Sequence, residues 1–374
     1  MNRRDFLKNF LIGTGIFSVA AGGGIFYYIN RPEFGKLPQG DRLKKILSSP
    51  HYFTDHFECL EPVQVMSEDV ENKENLVVAW AKFVFSDKSH LQPPGKVPTA
   101  KTNLKEIPAD WNCAVWMGHS TIYLQLAGKK ILIDPVFSSY ASPVFFVNRA
   151  FEGSNIYTAE DFPELDILAI THDHWDHLDY PSVMALKSKA KKIICPLGVG
   201  EHFEHWNFDL ENIIEEDWDS EIDFGDLKIF ILPSQHFSGR FLTRNRSEWC
   251  SFAFVTADKK IFCSGDGGYG KQFKMIGDKF GEFDFAFLEN GQYNLAWHAI
   301  HCLPEETAQA AVDIHAKNVV PIHGGKFALA RHAWNENYID LQKFSADKNY
   351  QLLTPRIGEL IFFDGENNFT EWFL

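Results

Sequence analysis

His172-Asp173-His174-Trp175-Asp176-His177 follows the apolar run Leu165 to Ile170, and its reading decides the fold. In an extended chain side chains alternate, so His172, His174 and Asp176 fall on one side, with His177 turning in as a helical region begins. Four nitrogen or oxygen donors so closely spaced suit Zn²⁺ or a similar divalent transition-metal ion. Histidine makes up only 15 of 374 residues, so chance rarely builds this frame; solvated surface histidines are the plain alternative.

Further candidate donors recur at matching places. His236 lies four residues past a strand ending at Leu232, Asp266 two past one ending at Ser264, and His323 directly after Ile322. Each sits at the C-terminal end of an expected strand, where an α/β scaffold gathers its functional loops.

The surrounding pattern is that of sheets covered by helices. Ile122, Leu124 and Leu126 alternate, turn at Ala127-Gly128 and return as Ile131-Leu132-Ile133, a hairpin. Strands are expected at 165–170, 193–195, 227–232, 251–255, 261–264, 283–288 and 319–322, and helices at 181–190 and 304–315, the latter with Glu305 and Glu306 in its first turn. Residues 109–374 thus form the main domain. Residues 30–108 are polar and turn-rich, with helices expected at 42–47 and 75–85, and read as an extension packing on that domain.

The N-terminus reads as an address. Arg3-Arg4-Asp5-Phe6-Leu7-Lys8 precedes an uncharged stretch from Phe10 to Ile29, resembling a bacterial twin-arginine export signal. Ser18-Val19-Ala20 offers a cleavage site. The apolar run continues through Phe26-Tyr27-Tyr28, however, and is long enough to span a bilayer, which favours an uncleaved anchor over residues 1–29. The expected location is the periplasm, anchored to the inner membrane. That route carries folded proteins, often already loaded with a cofactor.

Composition narrows the partners. Lys+Arg 36 against Asp+Glu 50 gives a net charge of −14, which repels phosphate backbones and excludes nucleic acid in the absence of a basic patch. The six cysteines show neither a zinc-ribbon spacing nor a disulfide framework and read as buried thiols.

The donor series, together with Trp116-Met117-Gly118-His119-Ser120-Thr121, Asp134-Pro135-Val136-Phe137-Ser138, Gly265-Asp266-Gly267-Gly268-Tyr269 and Ile322-His323-Gly324-Gly325-Lys326, resembles the metallo-β-lactamase fold. Within that fold it is similar to the N-acylphosphatidylethanolamine-hydrolysing phospholipase D family over about Trp111 to Phe363. The resemblance implies an αββα sandwich with two zinc or similar divalent ions. One ion would be held by His172, His174 and His236, the second by Asp176, His177 and His323, with Asp266 bridging. It further implies that Asp134 orients a ligand histidine, and that His301 donates a proton to the leaving group. The family carries Gln before that histidine; here it is Ile300. Tyr293 and His298 are candidates for phosphate contacts, and His119 reads as a core histidine.

Two ions sharing a water make it a hydroxide at neutral pH, so the expected activity is phosphodiester hydrolysis on a phospholipid or a small phosphodiester. Phe145-Phe146-Val147 and Phe151 read either as an apolar entrance or as part of the core. The rival readings are a hydrolase of a lactone, β-lactam or cyclic sugar derivative on the same fold, and a non-catalytic metal-binding envelope protein or di-iron redox module.

Overall fold

The computed structural model describes residues 27–66, 89–144, 147–240 and 243–374. The twin-arginine segment, the cleavage site, the helix expected at 75–85 and the pair Phe145-Phe146 lie outside the described residues, apart from the last residues of the apolar run.

Two seven-stranded sheets face each other. The first is ordered β16-β3-β4-β5-β6-β7-β8, with β3 Cys113–Trp116, β4 Ile122–Leu126, β5 Lys129–Ile133, β6 Leu165–Ala169, β7 Ala190–Pro196, β8 Ile213–Glu216 and β16 Leu360–Phe362. The second is ordered β15-β14-β13-β12-β11-β10-β9, with β9 Glu221–Asp223, β10 Lys228–Leu232, β11 Ser251–Val255, β12 Lys260–Cys263, β13 Phe283–Glu289, β14 Ala316–Ile322 and β15 Gln351–Leu352. Strands β1 Tyr52–Phe53 and β2 His56–Phe57 form a separate hairpin.

Strand alternation builds the layers. Ile122, Leu124, Leu126, Ile131 and Ile133 of the first sheet pack against Ile229, Ile231, Phe252, Phe254 and Phe287 of the second. Residues pointing the other way, such as Tyr123 and Leu132, pack with Val183 and Leu186 of helix α2 (Tyr180–Leu186) and Phe203 of α3 (Gly200–His205). On the far side, Phe262 and Ala286 pack with Phe273 and Ile276 of α4 (Lys271–Phe280) and Ala310 and Ala311 of α5 (Pro304–Asp313). Helix α6 spans Glu336–Ser345. This is the expected αββα sandwich. The helix expected at 181–190 stops at Leu186, because Ala190 already pairs with Leu165.

The extension contributes directly to the core: Ile46 and Phe57 are both 0% exposed and pack between the sheets. Helix α1 (Gly40–Leu47) is pinned by Arg42, which reaches Glu201 at 2.9 Å, Glu204 at 2.5 Å and Glu215 at 2.5 Å. All six cysteines are free and, apart from half-buried Cys59, buried.

Strand direction positions the site. β5, β6 and β7 run parallel, as do β12, β13 and β14, and β10 shares the direction of β12 through two antiparallel steps across β11. The C-terminal ends of these parallel-running strands therefore emerge at one edge of each sheet, and the loops after them meet there.

Candidate metal centre

After β6 the chain does not stay extended. The amides of His177 and Leu178 both donate to the His174 carbonyl, at 3.1 and 2.9 Å, so residues 174–178 form a tight turn. Alternation accounts for His172 and His174; Asp176 and His177 arrive through the turn, a correction to the extended reading. Asp173 is used elsewhere: it is buried and accepts from His202 Nε2 at 3.2 Å, Ser247 Oγ at 2.7 Å and the Gly239 amide at 2.6 Å.

The seven expected donors converge in two adjoining groups. His172 Nε2 lies 2.9 Å from His174 Nδ1, which lies 3.2 Å from His236 Nε2. Donor atoms of Asp176, His177 and His323, joined by His119, lie within 4.8 Å of one another. Asp266 sits between the groups. Its Oδ2 is 3.0 Å from His177 Nε2, 3.8 Å from His236 Nε2 and 4.0 Å from His172 Nε2, and its Oδ1 is 2.9 Å from His323 Nδ1.

Three of the donors, His177, His236 and Asp176, are aimed by partners behind them. Asp134 Oδ2 takes His177 Nδ1 at 2.8 Å and the Thr171 hydroxyl, while its Oδ1 accepts from the Thr171 amide, which leaves His177 Nε2 facing the centre. His236 Nδ1 donates to the Ile300 carbonyl at 3.0 Å. This tie uses the backbone, so an amide side chain at position 300 is not needed for it. His119 is buried as expected, but it is not a bland core histidine: its Nε2 reaches Asp176 Oδ2 at 2.8 Å. His119, Asp134 and His323 all have positive φ, at 53°, 44° and 65°. Non-glycine residues adopt that region at a cost that the surrounding contacts must offset.

The residues fit a pair of cations on their own chemistry. His177 Nε2, His119 Nδ1 and Asp266 Oδ1 are buried without a hydrogen-bond partner, although other donors stand within a few ångströms. A cation among them satisfies what neighbouring protein groups do not. Burial, then the neighbouring imidazoles, pushes the His172 imidazolium well below the usual histidine range. Burial likewise lowers His236 well below that range and His323 to about 3, so these rings present lone pairs. Burial also opposes a charge on His177, yet Asp266, Asp176 and Asp134 outweigh it and raise its pKa. A metal ion held there would supply that positive charge in place of the proton.

His301 stands at the rim. Its ring centroid is 5.0 Å from that of His236 and 5.3 Å from that of His323, which it stacks against. Its Nδ1 is held by Glu289, a carboxylate 2% exposed whose other oxygen accepts from the Gly267 amide at 2.6 Å. Glu289 was not among the expected site residues, although it ends strand β13 at the same edge, the signal that marked the other donors. Tyr293 is buried, with its hydroxyl donating to Glu336 at 3.0 Å and its ring stacked on His332. His298 Nδ1 faces Glu306 at 3.6 Å. The polar partners of these two are thus Glu336 and Glu306, not members of the cluster. Phe151 is 5% exposed and packs in the core between the sheets, so of the two readings of this segment the core one holds for it.

Comparison with known proteins agrees with this geometry. Residues 129–324 match the family model described as a beta-lactamase superfamily domain. An uncharacterized protein of Mycobacterium tuberculosis is 34% identical over 328 residues, 87% of each chain. N-acyl-phosphatidylethanolamine-hydrolyzing phospholipase D 1 of Caenorhabditis elegans is 29% identical over 269 residues, covering 66% of this chain and 76% of the worm protein. Among solved structures, Igni18, a metallo hydrolase of the archaeon Ignicoccus hospitalis, shares the fold with a TM-score of 0.54 at 19% identity, covering 68% of this chain and 99% of that one.

Proposed function

The chain belongs to the metallo-β-lactamase superfamily and is a metal-dependent hydrolase, and from that premise we propose that it cleaves phosphodiesters, with an N-acylphosphatidylethanolamine-like phospholipid as substrate. The observation that carries the reading is the likeness to the worm phospholipase D over two thirds of the chain. The site chemistry supports it.

His172, His174 and His236 would hold one ion and Asp176, His177 and His323 the other, with Asp266 facing both. Two divalent ions there supply the positive charge that polarises a phosphoryl oxygen and makes water nucleophilic near neutral pH. The protein's own groups do the rest. Asp134, His119 and the Ile300 carbonyl fix the orientation of His177, Asp176 and His236 before substrate arrives. His301, with Nδ1 tied to Glu289, presents its Nε2–H as the proton for the departing alkoxide.

The direct test is product analysis of the purified, metal-loaded protein. N-acylphosphatidylethanolamine in mixed micelles should yield phosphatidic acid and N-acylethanolamine. Release of neither, with turnover of a lactone or β-lactam instead, would refute the phosphodiesterase reading.

Placement in the periplasm, anchored by residues 1–29, belongs to the same proposal and rests on Arg3-Arg4 and the apolar run behind them. No helix among the described residues is long and apolar enough to cross a membrane. Changing Arg3 and Arg4 together to Lys should leave the protein in the cytoplasm on cell fractionation; unchanged export of that variant would overturn the assignment.

A further inference from the structure

Away from the metal centre, three chain segments bring His51, Asp217 and Glu248 together. His51 follows α1 in the extension, Asp217 follows β8, and Glu248 precedes β11. His51 Nδ1 lies 2.9 Å from Asp217 Oδ1 and 3.8 Å from Glu248 Oε1. Glu248 is 0% exposed, and neither of its carboxylate oxygens has a well-aligned hydrogen-bond partner. An ionised carboxylate buried in that state is costly, and a charged neighbour of the same sign makes it worse.

Protein groups relieve it only in part: the Leu197 and Trp218 amides face the carboxyl, and Asp217 stands close enough to share a proton with it. The Trp218 amide is shared with Asp217 Oδ1, to which it donates at 2.8 Å, and the His51 imidazole is closer to Asp217 than to Glu248. The His51 ring is fixed by its packing on Trp218, with centroids 4.7 Å apart. Ligands bound at about 2.0–2.2 Å to one tetrahedral ion stand roughly 3.3–3.6 Å from each other. The two observed separations bracket that spacing.

We propose that His51, Asp217 and Glu248 form a further divalent-cation site, taking Zn²⁺ or an ion of similar preference, which ties the N-terminal extension to the hydrolase domain. One imidazole and two carboxylates are a donor set such ions accept. Side-chain exposure of 23% at both His51 and Asp217 leaves a path for the ion and for water to complete its coordination. The ion would take the place of the proton held there: burial, then the charge of Asp217, pushes the Glu248 carboxyl well above the usual range. The site shares no residue with the catalytic cluster. It closes a corner already begun by the Phe57 amide, which donates to the Asn245 carbonyl at 2.8 Å three residues before Glu248.

The test is a count of zinc by elemental analysis on the full chain, incubated with excess zinc and desalted without chelator. Wild type should carry about one zinc per chain more than His51→Ala and one more than Glu248→Gln. The thermal midpoint of wild type should rise with zinc added beyond what fills the catalytic cluster, and those of the variants should not. His51 is partly exposed, so its truncation keeps the test readable should Glu248→Gln fold poorly. Equal zinc content in wild type and both variants would overturn the proposal; the two carboxyl groups would then share a proton instead, and Glu248→Gln, whose amide can donate to Asp217, would melt at least as high as wild type whether or not zinc is present.

Discussion

Asp266→Asn should lose metal from both halves of the catalytic cluster at once and lower kcat/KM by on the order of 10³-fold. The expectation follows from position: Asp266 Oδ2 stands near His177, His236 and His172, while Oδ1 stands near His323. Asparagine preserves the shape and removes the charge, so two closely spaced cations would face each other without the anion between them. His323→Ala, by contrast, removes a donor from one group only and should leave the His172, His174 and His236 group loaded. Elemental analysis of the two variants separates the cases. An Asp266→Asn enzyme with full metal content and near-normal turnover would show that Asp266 does not stand between two ions.

His301→Ala should keep its metal yet lose roughly 10²-fold or more in turnover on an unactivated phosphodiester, and almost nothing on a nitrophenyl ester. A nitrophenolate leaves without a proton, whereas an alkoxide needs one. Glu289→Gln extends the test to pH. Burial disfavours the His301 imidazolium, but the Glu289 carboxylate more than compensates, so the pKa of His301 is raised. An acid works while protonated, and activity is lost as pH rises through that pKa. Removing the Glu289 charge lowers the pKa, so the alkaline limb of the kcat profile should move to lower pH in Glu289→Gln, with KM little changed. If His301→Ala shed metal, or lost activity equally on both kinds of ester, His301 would be a ligand or a packing residue instead. An unmoved alkaline limb would separate Glu289 from any part in the proton transfer.

Legibility differed by element for identifiable reasons. The hairpin of β4 and β5 was readable because Ile122, Leu124, Leu126 and their partners alternate within one short stretch. Strand β16 was not, because Leu360–Phe362 is three residues long and becomes a strand only by pairing with Cys113–Val115. Helix α4 escaped notice because a mostly polar stretch from Lys271 to Phe280 turns only a few apolar residues, Phe273 and Ile276 among them, to the sheet. In the site, donors at strand ends stood out by residue type. His119 did not, because a buried histidine near Trp116 has the same local pattern whether or not its Nε2 meets Asp176, 57 positions away.

The sequence by itself determined the kind of chemistry: five histidines and two aspartates at the ends of apolar strands, a net charge hostile to nucleic acid, and two sheets with helices outside. These are properties of residue type and short-range periodicity, which one dimension carries. The tertiary structure alone decided which donors face each other and in which state. The amide of His119 donates to the Gly324 carbonyl, and that of His323 to the His119 carbonyl, so a segment before β4 and one after β14 lock each other. That lock accompanies the left-handed backbone of both histidines, which no local pattern of non-glycine residues announces. The same holds for the pairing of His301 with Glu289 and the burial of Glu248 beside Asp217: charge compensation depends on neighbours distant in sequence, and only the folded chain brings them into contact.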